Sequence, residues 1–199
     1  LRHVWGLPLL RHECRVMDSL AGVDGVPAVH GIHGGCSLVM EYVEGSRPLG
    51  SLSEFAEGDL PSPEFFERFR TLVYGLHERG VSHGDIRRRN VLRAPGDRPY
   101  LIDFATGVAL GERPGALRRL AYRQFRRADR FGVAKMIRGF YPELCTEEER
   151  TLLEKQPAPL RAGRWFRRHV YRKFLKPRTW KRRMEKVRFK LEGKEQEAP

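Results

Sequence analysis

The stretch VSHGDIRRRNVLRAPGDRPYLIDF, residues 81–104, constrains the fold of this chain more than any other. It contains two short apolar runs, VLR and YLI, joined through Pro95-Gly96-Asp97. Proline followed by glycine favours a tight turn between extended segments. The stretch therefore predicts a β-hairpin.

The polar residues around this hairpin form a pattern suited to phosphoryl transfer. Asp85, in a loop, can accept a proton from an attacking hydroxyl, and Asn90 can offer a neutral oxygen to Mg²⁺. Asp103, at the end of the next strand, adds a charged oxygen, and Mg²⁺ takes such hard oxygen ligands together with substrate phosphates. A base, metal ions and positioning are what phosphoryl transfer requires. The alternative is that these are turn and strand-end residues, which explains each one singly but not their spacing.

Apolar spacing elsewhere predicts a mixture of helices and strands, so the expected fold class is α+β. In the first helix, Leu9, Val16 and Leu20 form the expected apolar stripe. In chain order the predicted elements are a helix over 9–20, two strands within 26–45, a short helix with a capping box at Ser51-x-x-Glu54, a helix from Pro63 to Leu76 capped by Ser62, the hairpin, a helix over 117–141, and a short helix started by Thr146-x-x-Glu149.

The ordered series of these elements, with His83-Gly84-Asp85-x4-Asn90 and Asp103-Phe104, resembles the protein-kinase-like superfamily over roughly residues 8–140. The resemblance implies a kinase-like fold made mainly of the helical C-lobe. The N-lobe is expected to be incomplete, because the glycine-rich loop and the lysine strand are absent from the chain. The expected organisation is a partial N-lobe and hinge over 1–45, a C-lobe over 46–160, and a basic C-terminal extension over 161–199.

The resemblance also implies catalytic roles. Asp85 would be the catalytic base, with Asn90 and Asp103 as the ligands of Mg²⁺. His83 would be structural, and Asp129 in ADRFGVAK would brace the catalytic loop.

Nucleotide contacts follow from the same resemblance, which makes ATP the expected cofactor alongside Mg²⁺. Glu13 is similar to the glutamate that pairs with the ATP-binding lysine. The segment LVMEYVEG is similar to the strand and hinge against which adenine sits. Met40 would be the gatekeeper, and the Glu41 carbonyl and the Val43 amide would hydrogen-bond the base.

The chain departs from the kinase pattern in two places. Its first lysine is Lys135, well after the hinge. Either residues before Leu1 supply the missing strands, which is the favoured interpretation, or the protein is a pseudokinase. Ala105 replaces the glycine of Asp-Phe-Gly, and because alanine restricts positive φ, we interpret this as the loss of a flexible switch.

Two further departures bear on the substrate. Between Asp103 and Asp129 the chain has no Ala-Pro-Glu segment, and glycine replaces arginine in His-Arg-Asp. Both features resemble small-molecule, RIO-type and lipopolysaccharide-core sugar kinases. The main hypothesis is therefore an ATP-dependent kinase of a lipid-linked Kdo or heptose sugar. The alternatives are a RIO-like serine/threonine protein kinase and a non-catalytic pseudokinase scaffold.

Three consecutive arginines follow the catalytic aspartate. Arg87 lies two residues after Asp85, where peptide kinases carry a lysine that neutralises the transferred phosphate. We expect the same of Arg87, since a guanidinium can hold phosphate oxygens bidentately. Arg88 and Arg89 are candidates for contact with an anionic acceptor such as a Kdo carboxylate, or are a solvated loop edge.

The whole net charge of +13 comes from a segment near the C-terminus. Residues 161–190 contain 14 of the 38 Lys and Arg residues and one of the 25 acids, which leaves 24 of each elsewhere. Aromatic residues alternate with these cations, as in helices that lie on anionic membranes. Packing of this segment on the kinase domain is an equal alternative, and RNA binding is a third.

Other features bear on location. No apolar run approaches the roughly 20 residues of a membrane span, and no signal peptide is visible at the N-terminus. Cys14, Cys36 and Cys145 are dispersed and odd in number, which indicates a reducing cytosol. We therefore expect a cytoplasmic protein, peripheral at the inner face of the inner membrane.

Overall fold

The computed structural model describes residues 3–35, 37–50, 55–56 and 58–155. Four helices and seven short strands lie in this part of the chain. The helices are His3–Asp18 (α1), Pro63–Glu78 (α2), Ala116–Phe140 (α3) and Glu147–Glu154 (α4). The strands are Val29–His33 (β1), Ser37–Met40 (β2), Arg47–Pro48 (β3), Val81–Ser82 (β4), Val91–Ala94 (β5), Arg98–Leu101 (β6) and Val108–Ala109 (β7).

The mixed α+β class is confirmed, and the architecture is consistent with a partial kinase-like fold. The strands form three small antiparallel sheets, β1-β2, β3-β5-β6 and β4-β7. The predicted hairpin is the β5-β6 pair, with Val91 opposite Leu101 and Ala94 opposite Arg98.

The chain divides after Lys155 into two units. The predicted capping box at Ser51 and the basic extension over 161–199 lie outside the described residues. The 45/46 boundary between the two lobes stays a prediction. No helix in the described ranges combines the length and the apolar character that crossing a membrane requires.

The core is built around α2. The Ser62 side chain accepts a hydrogen bond from the Phe65 amide, and Pro63 occupies the first turn, so the helix begins as predicted. One face of α2 is buried, through Phe65, Phe66, Phe69, Leu72, Val73 and Leu76. This face supports the hairpin on one side and α3 on the other.

Helix α1 differs in part from its predicted stripe. Val16 and Leu20 are buried in the common core, but Leu9 is 52% exposed. The helix contacts β1 and β2, two strands whose own side chains are mostly half-buried or exposed. The apolar stripe therefore meets a core only at its C-terminal end.

The C-terminal part of the described chain is held by α4. The predicted capping box is confirmed, because the Thr146 side chain accepts from the Glu149 amide and the Glu149 carboxylate accepts from the Thr146 amide. Glu149 is 2% exposed and also pairs with Arg70 of α2, with Nε–Oε1 and Nη2–Oε2 distances of 2.9 and 3.0 Å. This bidentate pair fastens α4 to α2.

Candidate active site

The loop after β4 holds the His83-Gly84-Asp85 motif. The His83 ring is fully buried; its Nε2 lies 3.0 Å from the Ile102 carbonyl oxygen, and its Nδ1 lies 3.2 Å from the Asp85 amide nitrogen. Because an amide can only donate, Nδ1 is the acceptor and Nε2–H is the donor, which defines a neutral tautomer. The ring also packs on Phe104, with centroids 4.6 Å apart. His83 therefore links the loop after β4 to the segment that carries Asp103.

Asp129 of α3 lies beneath the same loop. Its carboxylate is fully buried and accepts hydrogen bonds from the backbone amides of His83 and Gly84, both at 2.7 Å. A third contact, 3.2 Å long, comes from His77 Nε2. A buried carboxylate with these partners holds two successive amides in one orientation. This is the geometry that the predicted bracing role of Asp129 requires.

Two glycines, neither of which was assigned a role from the sequence, allow the backbone to pack this closely. A Cβ atom on Gly84 would lie 2.7 Å from the Thr106 carbonyl oxygen and 2.9 Å from the Phe125 ring. A Cβ atom on Gly132 would lie 2.7 Å from the Cβ of Ile86. In the sequence, Gly132 could be noticed only as a glycine three residues after Asp129. Its contact with Ile86 is visible only in the packed structure.

The hairpin register brings Asn90 and Asp103 to the same end. Val91 is opposite Leu101, and the Ile102 amide donates to the Asn90 carbonyl at 3.0 Å, so Asp103 follows directly after the last paired position. Asn90 is buried, and its amide nitrogen donates to the Asp85 carbonyl at 3.0 Å. The three polar residues predicted from their spacing are therefore joined by one loop and one pair of strands.

Asp103 has a left-handed backbone, with φ of 68°. Asn and Asp tolerate this region better than other residues with side chains. Ala105 is not among the described residues with positive φ. The alanine therefore occupies its place in the Asp-Phe-Ala turn without backbone strain, because the unusual conformation falls on Asp103.

Glu13 of α1 lies against the Asp103-Phe104 segment. Burial, followed by the neighbouring charge of Asp103, raises the pKa of Glu13, while a hydrogen bond from the Phe104 backbone amide and the charge of His12 oppose the rise. The His12 Nε2 atom lies 2.8 Å from the Gly107 carbonyl oxygen, a contact that sequence reasoning missed. Helix α1 is thus fastened to the segment from Asp103 to Gly107 through two successive residues, His12 and Glu13.

The arginine triplet divides into one partly buried residue and two exposed ones. Arg87 forms an ion pair with Asp85. Within the described residues, the Arg87 Nε atom is buried and has no hydrogen-bond partner. Arg88 and Arg89 lie on a short 3-10 turn and are exposed. The structure therefore places Arg87, and not its two neighbours, against the predicted base.

The hinge residues lie where β2 ends. The Glu41 amide donates to the Ala28 carbonyl at 2.7 Å, and the Glu41 carboxylate accepts from the Ala28 amide at 3.0 Å. Met40 and Val43 are half-buried, and Met40 packs against the core cluster. The contact with Ala28 uses the amide of Glu41 and not the carbonyl predicted to face adenine.

The comparisons with known proteins agree with this geometry. The RIO domain family model matches residues 8–122, more than half of the chain. The chain belongs to the RIO domain family. The match includes the loop with Asp85, the hairpin and Asp103, and a RIO domain indicates a kinase-like family of ATP-dependent phosphotransferases.

The chain is similar to the KEOPS complex subunit Bud32 of Pyrococcus abyssi, with 30% identity over 131 residues that cover 59% of this chain and 55% of the relative. It is also similar to probable bifunctional tRNA threonylcarbamoyladenosine biosynthesis proteins of two archaea. The one from Methanosarcina barkeri is 39% identical, and the one from Methanosarcina acetivorans 40% identical, each over 67 residues covering 34% of this chain and 10% of the relative. The chain thus spans about half of the first relative and a tenth of the other two.

These findings favour the RIO-type alternative over the main hypothesis of a lipopolysaccharide sugar kinase. The matched family is the RIO family, and the relatives are named for KEOPS and for tRNA modification. Neither the sugar acceptor nor the membrane surface predicted as partners is supported by them. The preference for sugar kinases depended on features that RIO-type kinases share, namely the missing Ala-Pro-Glu segment and the glycine of His-Gly-Asp, so it could not separate the two.

Proposed function

We propose that this protein is a RIO-type, ATP-dependent phosphotransferase whose acceptor is a hydroxyl group of a protein. The observation that carries the proposal is the hairpin register, which joins Asn90 and Asp103 at one end, with Asn90 hydrogen-bonded to the backbone of Asp85. Asp85 accepts the proton of the attacking hydroxyl. A base, two metal-binding oxygens and a rigid backbone meet the requirements of phosphoryl transfer.

The proposed metal ligands fit Mg²⁺. The Asn90 amide nitrogen is used by the Asp85 carbonyl, so its amide oxygen is the atom available as a ligand. Asp103 adds an exposed carboxylate. The described residues contain no cluster of three His, Cys, Asp or Glu side chains suited to a metal ion. Nucleotide phosphates would supply further oxygen ligands to a Mg²⁺ ion held by Asn90 and Asp103, and the ion would neutralise part of their charge.

Arg87 has two partners in this proposal. In the structure it forms an ion pair with Asp85. Its buried Nε–H has no acceptor in the described part of the chain, and an unsatisfied buried donor costs about 1–3 kcal/mol. A phosphate oxygen would satisfy this donor. We therefore assign Arg87 to the transferred phosphate, which also releases Asp85 to act as a base.

The nucleotide is assigned to the hinge residues, Met40, Glu41 and Val43, on the side of α1. Glu13 positions the metal-binding segment, because its carboxylate accepts from the Phe104 amide next to Asp103. The first lysine of the chain, Lys135, belongs to α3. This positioning role of Glu13 uses its contact with the Phe104 amide and involves no lysine.

The process in which the protein acts is assigned from its relatives. Two kinds of relative carry names that refer to the KEOPS complex or to tRNA threonylcarbamoyladenosine biosynthesis. We place this protein in the same process, as a phosphotransferase that serves tRNA modification. The lipid-linked sugar is not retained as a substrate.

A transfer assay tests this proposal. The full chain is incubated with γ-labelled ATP and Mg²⁺, and the labelled phosphate released or transferred to protein is measured. Asp85→Asn should lower turnover at least about 100-fold, the usual contribution of a positioned base. Asp24→Asn, an exposed carboxylate in the loop after α1, is the matched control and should retain full turnover.

A binding assay separates this proposal from a pseudokinase. Mg²⁺-ATP should raise the melting temperature of the wild type and of Asp85→Asn, but not of Asp103→Asn. Absence of turnover in the wild type, or equal turnover in Asp85→Asn, would refute the catalytic assignment. Equal stabilisation of all three proteins would refute the metal site.

A further inference from the structure

Helix α3 carries a concentration of positive charge that the balance of the whole chain conceals. Its 25 residues contain seven arginines, one lysine and a single acid. That acid is Asp129, which is fully buried and used by the catalytic loop. The exposed charge of α3 is therefore entirely positive.

Four of these arginines lie on one face of the helix. They recur at intervals of four, three and four residues, the spacing of neighbours on an α-helix, at Arg119, Arg123, Arg126 and Arg130. Eleven residues of helix rise about 16 Å. The same face continues into Val133, Ala134 and Ile137, which are buried in the core. The basic stripe thus ends before Val133, and N-terminal to that residue the core does not cover this face.

Three arginines of the stripe, together with the neighbouring Arg127, line a cleft between α3 and α4. The cleft has a volume of about 650 Å³, and four arginines line it, Arg123, Arg126, Arg127 and Arg130. Arg130 is fixed in place, with its guanidinium 5.2 Å from the Tyr74 ring centroid and its Nη2 atom 2.9 Å from a Glu148 carboxylate oxygen. We call this feature the α3–α4 basic cleft.

Three acids line the cleft, Glu147, Glu148 and Glu149, against four arginines and Lys155, so its net charge stays positive. Glu149 is buried and paired with Arg70, and Glu148 is paired with Arg130. Among the described residues, Arg123, Arg126 and Arg127 form no ion pair with a carboxylate. Three exposed guanidinium groups are therefore available to an anionic partner.

We propose that the α3–α4 basic cleft binds the phosphate backbone of an RNA. A guanidinium matches a phosphate bidentately, and α3 uses arginine at seven of its eight basic positions. The arginines of the stripe are spaced by about 5–6 Å along the helix axis, so they suit a polyanion with a charge on each unit better than a single anion.

A membrane is a less suitable partner for this surface. The arginines lie in a concave cleft, whereas a bilayer presents a flat surface, and an interfacial helix inserts Trp, Phe or Leu side chains among its cations. The aromatic residue that lines the cleft is Tyr74, which is half-buried beneath Arg130. The inference goes beyond the proposed phosphotransferase activity, since the cleft contains none of the residues assigned to catalysis.

The test compares two charge-matched variants of the full chain. Binding of a fluorescently labelled tRNA transcript is measured by anisotropy as a function of salt concentration. The first variant carries alanine in place of the three unpaired cleft arginines, Arg123, Arg126 and Arg127. The control loses the same charge at three exposed arginines outside the cleft, Arg11, Arg68 and Arg138.

The cleft variant should bind at least tenfold more weakly. The slope of log K against log[salt] should fall in magnitude by about 2, because each lost phosphate contact contributes about 0.7. The control should change both quantities much less. Asp85→Asn, which should abolish turnover, should bind the transcript like the wild type, so failure of this inference and failure of the proposed catalysis are distinguishable.

Each other outcome would overturn the proposal. Equal weakening by both triple variants would show that only net charge matters, and unchanged binding in the cleft variant would show that the cleft is not used. Binding of two other probes is measured in the same way: vesicles that contain phosphatidylserine, and, separately, a polyglutamate peptide. If the cleft variant loses either of these but retains RNA, the partner is a lipid surface or an acidic protein. If the triple variant fails to fold, Arg126→Glu against Arg138→Glu makes the same comparison.

Discussion

Replacing Gly84 by alanine should destabilise the protein more than replacing Gly96 by alanine. The two glycines have similar left-handed backbones, with φ of 81° and 73°. An alanine in this region costs about 1–2 kcal/mol at either position. A Cβ on Gly96 meets no atom within 4 Å, whereas a Cβ on Gly84 meets the Thr106 carbonyl oxygen at 2.7 Å and the Phe125 ring at 2.9 Å.

The difference between these two variants isolates the steric contact. Overpacking of this kind costs about 1–3 kcal/mol. Gly84→Ala should therefore lower the free energy of unfolding by about 2–5 kcal/mol in total, and Gly96→Ala by about 1–2 kcal/mol. Urea unfolding measures both values, and hydrogen exchange of the His83 amide reports whether the loop has moved away from Asp129.

Phosphate transfer should fall in Gly84→Ala and stay near the wild-type rate in Gly96→Ala, because only Gly84 belongs to the loop that carries Asp85. Equal losses of stability in the two variants would refute the argument that close packing requires glycine at position 84. So would an unchanged exchange rate for the His83 amide.

Two further predictions concern a buried ion pair and a raised pKa. Glu149→Ala should lower the free energy of unfolding by about 3–5 kcal/mol, because it leaves Arg70 without its bidentate partner. Urea unfolding measures this loss. The control is Glu148→Ala, which removes an exposed ion pair and should lower the free energy of unfolding far less. For Glu13, the raised pKa means that the folded state binds its proton more tightly than the unfolded chain, whose ordinary value is 4.5. Its contribution to stability is fully present below that value and is lost as pH rises through the raised pKa. The stability of the wild type should therefore decline across this pH range more than the stability of Glu13→Gln. The glutamine is a suitable replacement because its amide oxygen can still accept a hydrogen bond from the Phe104 amide. Identical pH profiles for the two proteins would contradict the assignment.

Local signals in the sequence predicted most of the elements. The Ser62-Pro63 start of α2, the Thr146-x-x-Glu149 capping box and the turn through Pro95 and Gly96 each involve residues within four positions of one another. Caps and tight turns are short-range interactions, so the chain near them determines the outcome. The apolar stripe of α1 was less reliable, because burial of Leu9 depends on a neighbouring element and not on the helix itself.

The candidate site was partly predictable for a different reason. The spacing of Asp85, Asn90 and Asp103 carried the resemblance to kinases, and the RIO family match covers all three. The choice between a sugar acceptor and a protein acceptor was not predictable, since both kinds of kinase share the features on which it depended. Comparison with known proteins, and not the motif, favoured the RIO type.

The sequence by itself determined the class of fold, the helix starts, the hairpin and the order of the polar residues around it. Only the tertiary structure showed that Arg87 pairs with Asp85, that Glu13 reaches the Phe104 amide, and that the arginines of α3 line a cleft. Caps, turns and periodicity depend on neighbours a few residues away, whereas ion pairs and surface charge depend on segments that meet only when the chain packs. A net charge added up along the chain concealed the basic face of α3, because its balancing acids lie elsewhere.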